Sequence, residues 1–242
     1  MKQFYMLVSL WALSLPVVSV AQTPRSPGLN FDFTMMITER VRELAYVQLK
    51  PEARSKSRPT AADFDVIPVR VNSQGRSDVY HYEGPAPLHF VLTTGQGAAL
   101  KVSRLVAQLE ESASTQRTLV VLVPNEFGDF GILSMDDGET AFPAGRARLL
   151  NLSGGKVSGS LDGELFVLPS EPKVEAPRSI DSRVRLGVTY ERHGRPVVVF
   201  DQSLDVAENE RLLLVFLAPF RPGADVRTRI VRDRFLVTQP IE

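Results

Sequence analysis

Short runs of alternating polar and apolar residues, each closed within a few positions by proline, glycine, asparagine or aspartate, recur along this chain and narrow its folding options most. Val66-Ile67-Pro68-Val69-Arg70-Val71, Asp78-Val79-Tyr80-His81-Tyr82 and Leu88-His89-Phe90-Val91-Leu92 are of this kind, parted by the turn-forming stretches NSQGR and EGPAP. A period of two sends successive side chains to opposite faces of a pleated strand, so these runs predict half-buried strands. The pattern returns at 147–152, 156–160, 164–168, 184–190, 196–200 and 225–231. Two apolar runs, 118–123 (TLVVLV) and 212–218 (LLLVFLA), lack alternation and predict wholly buried strands, as does 130–135. Leu161-Asp162-Gly163 and the stretch ERHGR (191–195) carry hairpin-turn chemistry.

No strand alternates with a long helical pattern, which argues against an α/β fold. The expectation is an all-β chain: a β-sandwich of one or two immunoglobulin-like or Greek-key modules built from short antiparallel strands. Residues 35–49 fit a helical face in part, while the alternation over 43–50 favours a strand. The polar stretch 51–63, bounded by prolines, is expected to be a loop, and 22–34 a flexible exit segment. PSEPKVEAPRS (169–179) is the expected boundary between a first module, 35–168, and a C-terminal module, 180–242. The latter stands alone or completes a second sandwich with earlier strands. An echo between 80–92 and 198–216, in each case aromatic strand, polar turn, apolar strand, fits two related modules.

The N-terminal stretch MKQFYMLVSLWALSLPVVSVA has Lys2, then an apolar run of about a dozen residues, then Pro16 and small residues at Ser19 and Ala21. This is the pattern of a cleaved export signal over 1–21, with the cut before Gln22. Pro16 and Ser19 interrupt the run short of the roughly 20 apolar residues that span a bilayer. No later stretch approaches that length, so no transmembrane segment is expected after Ala21. The expected location is the periplasm or the cell surface.

Composition closes off several chemistries. Lys plus Arg number 28 and Asp plus Glu 28, which leaves no electrostatic footprint for nucleic acid and no polybasic membrane run. Cysteine is absent, which removes disulfides, thiolate metal sites and thiol nucleophiles together. Arginine far outnumbers lysine and is dispersed. Arg70, Arg146, Arg148, Arg183, Arg185, Arg227 and Arg229 alternate with apolar residues and are expected on solvated strand faces.

The candidate sites are few. Asp136, Asp137 and Glu139 cluster oxygens that suit a surface Ca²⁺, although the spacing of a full calcium loop is missing. The same carboxylates would serve a hydrolase only if they faced one another across a cleft. Tyr80 and Tyr82 share one strand face, with Phe90 nearby, and offer a flat patch for a glycan or other surface ligand; aromatic residues on strands also serve as packing. His81 and His89 sit on neighbouring predicted strands without a converging third metal ligand, and His193 lies in a turn. A nucleophile elbow, a phosphate loop and a dinucleotide fingerprint are all missing, and no cofactor is implied.

Two stretches carry a resemblance. Asp78-Val79-Tyr80-His81-Tyr82-Glu83-Gly84-Pro85 leading into Leu88-His89-Phe90, and the stretch FPAGRARLLNLS (142–153), resemble segments of uncharacterised exported all-β bacterial proteins. The second also resembles a bacterial surface β-sandwich domain of unknown function, in which an arginine-bearing strand ends in Asn-x-Ser before a short strand. The resemblance implies export and a sandwich fold and brings no site residues with it. The functional expectation is a non-catalytic exported protein with an envelope-structural or protein-interaction role, its partner an envelope protein or a glycan. N-terminal sequencing of protein recovered from the envelope of an expressing bacterium should begin at Gln22; a chain still beginning at Met1 would remove the export reading.

Overall fold

The two apolar runs that do not alternate form the middle of the molecule. The computed structural model describes residues 28–235 apart from 39–42, 55, 57, 59, 72–75, 96–100, 112–115, 126–128, 193 and 222. Strand accounts for 65% of the described residues and helix for 3%, which makes the fold an all-β sandwich type. The proposed signal, 1–21, lies outside the described residues.

Four sheets lie in layers. The first inner sheet has the order β4 (Tyr80–Pro85), β1 (Gly28–Ile37), β7 (Arg117–Pro124), β8 (Phe130–Asp136). The first outer sheet runs β3 (Phe64–Pro68), β2 (Leu44–Leu49), β5 (Leu88–Thr94), β6 (Lys101–Leu109). The second inner sheet has β12 (Lys173–Val174), β9 (Arg146–Leu152), β16 (Glu210–Leu217) and β17 (Arg227–Arg234), with β13 (Arg178–Ser179) also pairing β9. The second outer sheet runs β11 (Glu164–Leu168), β10 (Val157–Leu161), β14 (Arg183–Arg192), β15 (Arg195–Asp205).

The strand order of the first sandwich repeats in the second. β9, β10 and β11 take the places of β1, β2 and β3, the short β12 and β13 that of β4, and β14 to β17 those of β5 to β8. In both, the central inner pair is parallel, β1 with β7 and β9 with β16. The first two strands of each sandwich lie in opposite sheets, whereas the immunoglobulin order sets them side by side. The echo between 80–92 and 198–216 matches β4–β5 with β15–β16, which occupy different places in this repeat.

The parallel pairs are buried on both faces, which explains their uninterrupted apolar sequences. Val120 and Leu122 of β7 point into the first sandwich core with Phe31, Phe33 and Met35, while Leu119 and Val121 point away from it. Leu212, Leu214 and Phe216 of β16 enter the second core, and Leu213, Val215 and Leu217 face outward. The two outward sets meet. With Met36, Met135, Phe142, Leu150, Leu152 and Val231 they form a third apolar cluster, which joins the two inner sheets.

Several boundaries differ from those expected. The described part of the proposed exit segment, 28–34, belongs to β1, where Phe31 and Phe33 are buried. The stretch 169–179 carries β12 and β13, both hydrogen-bonded to β9, and so lies inside the second sandwich. The chain passes between sandwiches at 137–145, and β9, β10 and β11 share sheets with strands after residue 183. The Leu161-Asp162-Gly163 hairpin forms as expected: Asp162 and Gly163 have φ of 51° and 82°, the left-handed pair of a tight hairpin turn.

Gly159 allows β10 and β14 to close. A Cβ there would lie 2.0 Å from the Gly187 carbonyl oxygen and 2.8 Å from the Phe166 ring. Because the backbone carbonyl cannot swing aside as a flexible side chain can, Gly159→Ala should destabilise by about 3 kcal/mol, the upper end of overpacking costs. Ser160→Ala, on the solvent side of the same strand, should stay within about 0.5 kcal/mol. Urea unfolding of both variants checks the difference.

Candidate functional site

Asp137, the first residue after β8, is 1% exposed and surrounded by guanidinium groups. Arg76, from the segment between β3 and β4, donates to its Oδ2. Arg117 Nε of β7 lies 3.1 Å from the same oxygen, and Arg211 Nη2 of β16 lies 3.0 Å from Oδ1. The latter two contacts are ionic, without hydrogen-bond geometry. Asp233 of β17 serves the same three arginines: Arg211 donates to it from Nη2 at 2.7 Å and from Nε at 3.0 Å, and Arg76 Nη1 and Arg117 Nη2 stand at 3.2 and 3.7 Å. Arg76, Arg117 and Asp137 come from the first sandwich and its exit, Arg211 and Asp233 from the second.

Three cations over two anions leave a buried positive excess, and main-chain acceptors offset it. Arg211 donates to the carbonyls of Phe142 at 2.6 Å and Asp137 at 3.1 Å, and its guanidinium lies over the Phe142 and Phe235 rings. Arg148 of β9 donates to the carbonyls of Asp136 and Ala141 and covers the Phe142 ring from 4.5 Å. Burial lowers the pKa of Arg76 against the opposing pull of Asp137 and Asp233, and burial likewise lowers that of Arg148. At Asp233 burial pushes the carboxyl up, but Arg76, Arg211 and Arg117 together outweigh it and hold it below its usual value.

This geometry settles two sequence expectations. Asp136, Asp137 and Glu139 do not form a cation cage: Asp137 is turned inward onto arginines, and Asp136 Oδ1 accepts from the Gly138 amide at 2.9 Å. Among the described residues no group of three potential metal ligands gathers. Arg148, expected on a solvated face, is buried because its neighbours on the far sheet face are covered by the first sandwich. Arg76, Arg211 and Asp233 were not singled out by the sequence. The one local signal was the charged pair Glu210-Arg211 opening an otherwise apolar strand.

Tyr82 and Phe90 do not present a flat patch. They are 2% and 0% exposed, on strands of opposite sheets, and they pack with Phe31, Phe33 and Tyr46 in the first core. Tyr80, half-buried, meets Phe33 and Tyr46 and accepts a hydrogen bond on its hydroxyl from the Arg70 amide at 2.8 Å. Burial raises Tyr82 to about 12; burial, then Tyr80, raises Tyr46 to about 12. His81 pairs with Asp32 across β4 and β1, while His89 on β5 meets Gln108, so the Pro85-Ala86-Pro87 connection has carried the two histidines into different sheets. His193 lies outside the described residues.

An open concave surface lies elsewhere, on the solvent face of the second outer sheet. A trough of about 620 Å³ runs over β11, β10, β14 and β15. Its floor is made of small residues, Ser158, Ser160, Gly187 and Thr189, and its rims are aliphatic: Leu165 and Val167 on β11, Val198 on β15. These three are 81%, 57% and 67% exposed. Four polar side chains of the trough are matched in pairs. The Ser158 and Thr189 hydroxyls bond each other at 2.8 Å, and Arg185 grips Asp201 through two contacts of 3.1 Å. That pairing lowers the Asp201 pKa and raises that of Arg185. The trough thus sets aliphatic rims over a floor of small residues. No protein-family model matches the chain, and no curated protein matches it significantly.

Neutralising Asp137 would leave Arg76 and Arg211 buried beside a neutral group. Asp137→Asn should cost about 3–5 kcal/mol in urea unfolding, the usual result of removing one partner of a buried ion pair. Because the folded-state pKa of Asp233 is lowered, its contribution is complete above the ordinary aspartate value of about 4 and is lost as pH falls below it. Melting temperature in low salt should therefore drop on acidification through that range, and Asp233→Asn should flatten the drop.

Proposed function

We propose that the protein is an exported, non-catalytic interaction module of the cell envelope, and that the trough of the second outer sheet is the surface that meets its partner. The observation that carries this reading is the exposure of Leu165, Val167 and Val198 along the rims of one open trough, above a floor of small residues. Scattered single exposed apolar residues are ordinary on protein surfaces, whereas apolar groups gathered around one concavity mark contact sites.

The chemistry favours an uncharged, aliphatic stretch of a partner protein. Sugar rings are held by exposed aromatic faces, and the rims here are aliphatic. A charged partner would find the Arg185 and Asp201 side chains already matched to each other. The non-catalytic part of the reading is supported by the pairing of Ser158 with Thr189 and of Arg185 with Asp201 in the trough, and by the placement of His81 and His89 in the sheets of the first sandwich.

Photo-crosslinking in intact cells tests this. A benzophenone side chain placed at Leu165 or Val198 should give one discrete heavier adduct, and the same group at Glu83, on the first sandwich, should give none. Val167→Asp should reduce the adduct at least tenfold while leaving the thermal melt within about 0.5 kcal/mol of the parent. Equal labelling from Glu83, or no adduct from either trough position, would defeat the assignment. Turnover of a small substrate abolished by a single side-chain change would defeat the non-catalytic part.

A further inference from the structure

Among the described residues, the largest exposed apolar group outside the trough is Phe220, 83% exposed in the connection between β16 and β17. Its ring is held in place: the Arg227 guanidinium lies 3.7 Å from the ring centroid, and Arg227 Nε donates to the Ala218 carbonyl at 2.8 Å. The sheet registers place other connections at this end of the sandwich. Leu217 pairs with both Leu152 and Arg227, Lys173 with Asn151, and Val157 with Tyr190. The 218–226 connection thus shares its end with 153–156, with Lys173 and with the hairpin that joins β14 to β15.

Among the described residues of that end, Lys156, Lys173, Arg195, Arg221 and Arg227 outnumber the acids Glu171, Glu191 and Asp225. All of these cations but Arg227 are exposed, and Arg227 is half-buried against Phe220. The sequence has no basic run because these cations come from four separate segments. Their convergence is a product of the fold.

We propose that this end of the second sandwich docks on an anionic lipid bilayer, with the Phe220 ring entering the headgroup–acyl boundary. An aromatic ring gains by leaving water at that depth, while cations beside it remain at the phosphate level and are drawn to negative lipid. Phe220 flanked by Arg221 and Arg227 has that arrangement, and the local excess of cations gives the charge complementarity. One ring and a few cations hold weakly, so the contact is reversible. The trough lies on the face of the second outer sheet rather than at this end, so the two assignments stand or fall separately.

Trp11 is the only tryptophan in the chain, which gives a direct test. In the full chain carrying Trp11→Phe, Phe220→Trp provides a sole reporter whose emission depends on its own surroundings, whatever else in the chain touches lipid. Vesicles of equal parts phosphatidylglycerol and phosphatidylcholine should shift that emission to the blue, and vesicles of phosphatidylcholine alone should not. Arg221→Glu should weaken binding about 25-fold, two unit charges at about fivefold each, and high salt should do the same. Circular dichroism should show every variant folded. No shift with the anionic vesicles, an equal shift with both kinds, or the same shift from inorganic phosphate alone would overturn the proposal.

Discussion

The grip of Arg76, Arg117 and Arg211 on Asp137 and Asp233 ties the two sandwiches to each other. It lies where the chain leaves the first sandwich and enters the second, and it draws on β7, β16, β17 and two connecting segments. Ion pairs in such a place are costly to desolvate, and they hold only when the remaining donors find acceptors. Here the main-chain carbonyls of Asp136, Asp137, Ala141 and Phe142 supply them, and the Phe142 ring is clasped between Arg148 and Arg211. A nine-residue connection that would otherwise act as a hinge is thereby fixed from both sides, and the apolar cluster between the inner sheets continues that joint.

The position of the joint determines which surfaces remain open. With the two inner sheets facing each other, their parallel central strands have no solvent face, and the outer sheets carry the exposed ones. The second outer sheet leaves its own surface concave because β10 and β14 present serine, glycine and threonine between taller neighbours on β11 and β15. The same arrangement turns the far end of the second sandwich outward, with Phe220 above Arg227. Apolar shape characterises the one surface, and an aromatic ring beside cations the other.

Much of the strand content was legible because it follows from local rules. Alternation located β4, β5, β10, β11 and β14, and the Asp162-Gly163 turn was readable from the demand for two left-handed residues. The stretch 35–49 was ambiguous for a physical reason. In β1 both faces are covered, so Met35, Met36 and Ile37 are all buried and the period of two is erased. The candidate site fared differently. Tyr80, Tyr82 and Phe90 looked like a surface patch because a strand pattern says which residues share a face without saying whether that face is wet. Asp137 looked like part of a turn because nothing near it in sequence announces Arg76 or Arg211, 61 and 74 positions away.

Local patterning suffices for the class: an all-β chain without cysteine, held by sheet packing, with buried strands wherever apolar residues run unbroken. These are consequences of backbone pleating and local turn geometry, which act over a few residues. Long-range packing sets the rest: the second half repeats the strand order of the first, the crossing lies at 137–145 rather than 169–179, and dispersed arginines gather at Asp137 and beside Phe220. Those outcomes depend on contacts between residues far apart in the chain, and their energies come from desolvation and pairing that no local pattern encodes.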